Sequence, residues 1–215
     1  MKYKTIAVIG LGQFGTTIAK MLASMSHEVL GVDINPEIVQ KVSPYVTHAI
    51  VADTTDEEAI KALALSQFDI VIVAIGDNIQ ANLMTSMLLK EMKMPHVVSK
   101  AENALQGKML KKMGVDMVIY PEYDVAQRLA QSLTREHVMD YLQLSKSISL
   151  IEVDMPKFLV GTCLKDSNLR EKYNLNAVGI RRGEDLEVPP NPFTILSAEE
   201  KLLIIGNNSD LDALT

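Results

Sequence analysis

Along the N-terminal part of the chain, short apolar runs rich in β-branched residues alternate with longer stretches in which apolar residues recur at helical spacing. The runs are 6–9, 28–32, 48–51, 70–75, 96–99 and 117–119, and each ends at a polar or Gly/Pro turn. That is the pattern of strands buried on both faces. The helical stretches between and after them are 16–26, 37–42, 57–63, 79–92, 104–113 and 125–134. Regular β-α alternation with right-handed crossovers specifies an open parallel sheet wound on both faces, so residues 1–135 are read as a Rossmann-type α/β domain.

From Arg135 the pattern changes, because residues 136–142 run on without returning to a parallel strand. Residues 136–147 are therefore expected to form a crossover or hinge. Beyond them, 149–153, 177–181, 186–188 and 202–205 read as short strands, with a helical insert at 167–173 and a hairpin turn at Arg181-Arg182-Gly183-Glu184-Asp185. Residues 148–215 thus form a small α+β C-terminal lobe. A piece of about 70 residues is near the lower limit for folding alone, and it is expected to pair with a second copy of itself.

Composition narrows the function classes. With 47% hydrophobic and 22% charged residues in a chain of 215, disorder is excluded. A formal net charge of −6 supplies no basic footprint for a phosphate backbone, so nucleic acid is not the expected ligand. One cysteine, Cys163, excludes an intramolecular disulfide framework and a cysteine-built metal cluster within one chain, and suits a reducing compartment such as the cytoplasm. The apolar run at 6–9 stops at Gly10, too short for a signal peptide, and no window reaches the ~18 apolar residues of a membrane span.

Candidate chemistry begins at Gly10-Leu11-Gly12-Gln13-Phe14-Gly15, which follows a predicted strand and opens a predicted helix. Gly10 allows the tight turn, Gly12 the close approach of a pyrophosphate, and Gly15 the contact of helix with sheet. Asp33 ends the second strand, 18 residues after Gly15, where an acidic acceptor for a ribose hydroxyl is expected. Its charge disfavours a 2′-phosphate. Asp53-Thr54, Ala74-Ile75-Gly76-Asp77-Asn78, Lys100 and Pro121-Glu122 likewise follow strands, at the carboxyl edge where open sheets bind ligands. Taken singly, Asp53 and Asp77 are equally readable as turn residues or helix caps.

A dehydrogenase also needs an acid or base near the reacting oxygen. No tyrosine has a lysine four positions later, and His27, His48, His96 and His137 are scattered. No enzymatic activity is expected. Twelve methionines, among them Met84, Met87, Met92, Met109 and Met113, read either as adaptable core or as a subunit interface.

Residues 7–15, the His27-Glu28-Val29 to Val32-Asp33-Ile34-Asn35 segment, residues 71–81 and Pro121-Glu122 together resemble the RCK (regulator of potassium conductance) family. More closely, the chain resembles the cytoplasmic regulatory subunits of bacterial Ktr/Trk potassium uptake systems, a TrkA-N-type lobe followed by a TrkA-C-type lobe. The resemblance implies a non-enzymatic gating subunit, peripheral on the inner face of the cell membrane. It would form homodimers that assemble into an octameric ring under a membrane-embedded potassium-translocating partner, with ATP or ADP, or NAD(H), in the crevice.

By that resemblance Gly10, Gly12 and Gly15 contact phosphates, Asp33 and Asn35 the ribose, and Asp53 and Thr54 the adenine end. Gly76, Asn78 and Lys100 lie toward the phosphates, and Gln13, Phe14, Ile34, Ala74 and Ile75 complete the pocket. Glu122 matches a carboxylate that binds a divalent cation near the γ-phosphate at the subunit interface. The relatives carry Arg where Gln13 stands, and a neutral amide cannot supply the bidentate, charge-assisted contact of a guanidinium. Weaker discrimination of ATP from ADP is therefore expected. In the C-terminal lobe the resemblance implies a cyclic di-AMP site on Asn168, Leu169, Arg170, Asn176, Ala177 and Pro190. For the protein as a whole, an NAD-dependent oxidoreductase and a free-standing nucleotide sensor stand as the alternative functions.

Overall fold

The computed structural model describes residues 3–134, 138–145 and 147–213, which divide into two compact units, Met1–Glu122 and Tyr123–Thr215. In the first, β1 (Thr5–Ile9), β2 (Glu28–Asp33), β3 (His48–Val51), β4 (Ile70–Val73), β5 (Val97–Lys100) and β6 (Met117–Ile119) form one sheet in the order β3-β2-β1-β4-β5-β6. Every pairing is parallel. The crossovers carry α1 (Gln13–Ser24), α2 (Pro36–Val42), α3 (Glu57–Ala62), α4 (Ile79–Glu91) and α5 (Ala104–Lys112), and α6 (Pro121–Thr134) follows β6.

Alternation along β1 divides the core. Ala7 and Ile9 pack with Ile60 of α3, Leu89 of α4 and Leu110 of α5, whereas Ile6 and Val8 pack with Ala19 of α1 and with Val39 and Val42 of α2. Because successive side chains of a strand point to opposite faces, this is what a doubly wound sheet requires. The expected fold class is the observed one.

Helix starts differ from expectation in an informative way. α1 begins at Gln13, not residue 16, and α6 at Pro121, not residue 125. Apolar periodicity does not reach the first turns, where Gln13 and Phe14 of α1 and Glu122 of α6 stand at the carboxyl edge of the sheet. Proline is at home at the first helical position, since its missing N–H would have no intrahelical partner there.

The second unit is antiparallel. β7 (Val138–Gln143), β8 (Ile148–Asp154), β9 (Asn176–Arg182), β10 (Asp185–Glu187) and β11 (Lys201–Asn207) take the order β10-β9-β11-β8-β7. Residues 138–143, expected within the hinge, instead form the edge strand β7, its backbone paired with β8 from Val138↔Val153 to Gln143↔Ser149. A linker reading failed there because β7 is joined to β8 by a tight turn, in which the amides of Leu144 and Ser145 donate to the carbonyl of Ile148. Arg135, Glu136 and His137 lie outside the described residues.

Ile151 and Val153 of β8, Ile180 of β9 and Leu202 and Ile204 of β11 build a separate core with Leu169, Leu175 and Leu211. Leu169 belongs to α7 (Leu169–Tyr173), entered and left through left-handed Asn168 and Asn174, and Leu211 to α8 (Asn208–Asp212), a turn with no clear periodic signal in the sequence. No helix among the described residues is long and apolar enough to cross a membrane.

Candidate functional site

The carboxyl ends of β1 to β5 open into a cleft of about 610 Å³. Its floor is the turn after β1. Gly10 has φ +89°, and a Cβ there would lie 2.8 Å from the backbone nitrogen of Ile75, so only glycine lets the turn pass beneath the end of β4. The amide of Gly10 donates to the Val32 carbonyl at 2.8 Å. Gly15 has a different task. A Cβ on it would strike the Gly10 carbonyl oxygen and the Ala74 side chain, so this glycine brings α1 against the sheet and does not itself line the cleft.

Capping singles out α1. α2, α3, α4 and α5 each have a side-chain N-cap, from Asn35, Asp56, Asn78 and Asn103. α1 has Gly12 in that position, no side-chain cap and no acidic residue in its first turn. The first amides of this helix, with the positive end of its dipole, are thus available to an anion in the cleft.

Asp33 lines the cleft beside the glycine turn. Its Oδ2 accepts from the Leu11 amide at 2.6 Å and its Oδ1 from the Asn35 amide at 2.8 Å. The carboxylate therefore clamps the glycine turn to the end of β2, and each oxygen keeps a lone pair for a hydroxyl donor. Asn35 and Asn78 line the cleft but use their side-chain oxygens to cap α2 and α4, accepting from Glu37 and Ala81. Asp53 accepts from the amide and hydroxyl of Thr55 at 3.0 and 2.6 Å. Hydrogen bonds from the Thr55 hydroxyl, then its amide, hold the Asp53 carboxyl below the usual carboxylate range.

The far end of the cleft carries the charge pair Lys100–Glu122. The Lys100 side chain is only 10% exposed, and its Nζ donates to Glu122 Oε1 at 2.6 Å. That hydrogen bond, against a smaller opposing effect of burial, lowers the Glu122 carboxyl below its ordinary value. Glu122 is thus already bonded to an ammonium, and among the described residues no group of three or more His, Cys, Asp or Glu side chains could hold a metal ion. Among the described residues of a single chain, Glu122 is therefore not part of a three-ligand cation site.

Every residue expected in the nucleotide pocket except Gly15 lines this one cleft: Gly10, Gly12, Gln13, Phe14, Asp33, Ile34, Asn35, Asp53, Thr54, Ala74, Ile75, Gly76, Asn78, Lys100 and Glu122. Ile38, Ala52, Thr55, Asp77 and Ala81 line it too; of these only Asp77 was among the sequence candidates. None of His27, His48 and His96 does. A layer the motifs did not point to lies beneath: Asn82, Thr85 and Ser86 are fully buried on the inner face of α4. Polar residues at i, i+3 and i+4, where a core-facing helix should be apolar, were the available signal.

The second set is less gathered. Arg170 and Asn176 are exposed and Ala177 half-buried, but Leu169 is turned into the core and is 4% exposed. Asn168 precedes α7 with its amide on the Asp166 carbonyl, and Pro190 sits in the loop between β10 and β11. That loop runs along the segment before α7, where the Lys165 amide donates to the Pro192 carbonyl at 2.8 Å.

Comparison with known proteins agrees with this architecture. The TrkA-N domain family matches residues 6–121 and the TrkA-C domain family residues 148–215. Ktr system potassium uptake protein C of Bacillus subtilis is 40% identical over 97% of this chain and 94% of its own length. Ktr system potassium uptake protein A of the same organism is 41% identical over 98% and 95%. The solved structure of a GsuK channel bound to NAD superposes with a TM-score of 0.69, covering 99% of this chain and 39% of that longer one. At 18% identity this likeness is one of fold. With both domain families in this order and relatives of nearly equal length, the chain belongs to the RCK family, as a TrkA-N domain followed by a TrkA-C domain of the Ktr/Trk type.

Proposed function

We propose that the protein is the nucleotide-binding regulatory subunit of a Ktr-type potassium uptake system. It acts without bond chemistry, at the cytoplasmic face of a membrane-embedded potassium-translocating partner. The observation that carries the reading is the uncapped N-terminus of α1 opening into the same cleft as Asp33 and Lys100. Backbone amides and a lysine suit phosphates, and a strand-end carboxylate suits a ribose hydroxyl, so an adenine nucleotide, ATP or ADP, or NAD(H), fits the donor set. The relatives named as Ktr potassium uptake proteins, about equally long, supply the physiological setting.

Regulation follows from linkage. A nucleotide changes the arrangement of a homodimer, or of an octameric ring built from it, only through unequal affinity for the two arrangements. Moving a population from 1:99 to 99:1 takes ~5.5 kcal/mol of such inequality, a modest share per subunit when several sites contribute. ATP and ADP differ by one phosphate at the Lys100–Glu122 end, and that difference of charge is the kind of cause required. Cyclic di-AMP is the proposed second effector, in the C-terminal lobe, with exposed Arg170 on phosphate and Asn176 on a base edge.

Competition binding of ATP, ADP, NADH and cyclic di-AMP to the purified protein tests both sites. Submicromolar to micromolar adenylate binding, and loss of cyclic di-AMP binding in Arg170→Ala, are expected. An adenylate series without binding, or cellular potassium uptake that is unchanged when the protein is deleted, overturns the reading.

A further inference from the structure

Between β4 and β5 the ladder pairs Val71↔Val97, Ile72↔Val98 and Val73↔Ser99, and then stops. The two strands part at the point where both reach the cleft, although Lys100 stays paired with Ile119 of β6 on its other side. The side chain of Asn82, on α4 and fully buried, fills the gap: its Nδ2 donates to the Ile75 carbonyl at 3.0 Å and to the Lys100 carbonyl at 3.1 Å. Its Oδ1 accepts from Ser99 Oγ at 3.2 Å and from Gln106 Nε2 at 3.0 Å. Both amide hydrogens and both oxygen lone pairs are thereby used. Gln106, 2% exposed on α5, continues the network by accepting the Glu102 amide at 2.9 Å.

We propose that the buried Asn82–Gln106 amide pair is the positioning device of the nucleotide cleft, holding the β4 and β5 ends apart at a fixed distance so that the Lys100 ammonium faces the phosphates. This rests on the reading of the cleft as an adenylate site. The physical basis is that a fully satisfied buried network has one low-energy geometry, whereas removal of one amide strands several buried donors and acceptors at once. Lys100 has little freedom of its own: a Cβ on Gly76 would stand 3.1 Å from Lys100 Nζ, so the ammonium is packed under the turn after β4. Displacing either strand end displaces the charge. Asn82 does not itself line the cleft but bonds to Ile75 and Lys100, which do, and on this proposal its effect on ligand passes through Lys100.

The test is a double-mutant cycle on ATP affinity, read by calorimetry on the full-length protein. Asn82→Leu keeps the side-chain size and removes the amide. It is expected to weaken ATP about tenfold, as is Lys100→Met, the loss of one charge-assisted contact. The double variant is expected to bind within about twofold of Lys100→Met, because the positioning has nothing left to position. Losses that multiply to about a hundredfold in the double variant mean that Asn82 has only a general structural role, and unchanged ATP affinity in Asn82→Leu means that it has none; either result overturns the proposal. Should Asn82→Leu not fold, Gln106→Met enters the same cycle with the same expectations. If the parent protein binds no adenylate, the cleft reading falls and this inference with it; if the parent binds and the cycle is additive, only this inference falls.

Discussion

In the parallel unit the ends of β1, β2, β4 and β5 bring Gly10, Asp33, Gly76 and Lys100 to one open cleft. In the antiparallel unit the charged groups close on one another across the sheet. Arg181 of β9 pairs with Glu152 of β8 at 2.8 Å, and Arg182 pairs with Glu187 at 2.8 Å and Glu200 at 2.5 Å. Topology is the cause. Parallel strands all end at the same edge of a sheet, where polar loops accumulate and diverge around a crevice. Antiparallel strands end alternately at both edges, and here their charges pair over the sheet face, Arg182 with Glu187 on neighbouring β10 and Arg181 with Glu152 across the intervening β11.

The largest expected effect tests whether the two units are separable. Gly15→Ala forces a Cβ onto the Gly10 carbonyl and should destabilise the first unit by about 3 kcal/mol, abolishing ATP binding. Scanning calorimetry should then show one transition moved down and the other in place; a single transition that moves as a whole breaks the comparison. The counterpart in the second unit is Glu152→Ala. It leaves the Arg181 guanidinium, whose side chain is 32% exposed, without its carboxylate, at a cost of about 2 kcal/mol, while the dissociation constant for ATP stays at its parent value.

Gln13→Arg sharpens the picture of the cleft. A guanidinium at the start of α1 should raise the ratio of ATP to ADP affinity about fivefold, and an unaltered ratio in competition titrations contradicts the role given to that position. The smallest effect concerns Glu122, whose side chain is 67% exposed. Its folded-state pKa lies below the ordinary 4.5, so the ion pair contributes above that value and is lost as pH falls through the lowered one. Glu122→Gln should therefore lower the unfolding free energy slightly at pH ~7, by under about 0.5 kcal/mol, and not at all near pH ~2. An equal difference at both pH values removes the ion pair from the account.

Most of the cleft was legible because its signals are local. Gly10 and Gly12 answer to the turn in which they sit, and Asp33 to its place at the end of a β-branched run. Gly15 carried two readings: the motif made it the contact of helix with sheet, which its closeness to the Gly10 carbonyl bears out, whereas the resemblance put it on the phosphates and it does not line the cleft. Leu169 was grouped with ligand residues beside Arg170, and the short helix α7 turns it inward.

The order of apolar and polar residues by itself determined the alternation of strands and helices, and with it the parallel sheet and the edge at which the cleft opens. Both follow from the strand period, the helix period and the hand of the crossover, which are local properties of an L-polypeptide. Only the tertiary structure decided that residues 138–143 pair with β8, that Lys100 meets Glu122, and that one amide from α4 bridges two strand ends. Those contacts join residues 6 to 22 positions apart, beyond the reach of the strand and helix periods, and only packing of the whole sheet selects among the sterically allowed partners.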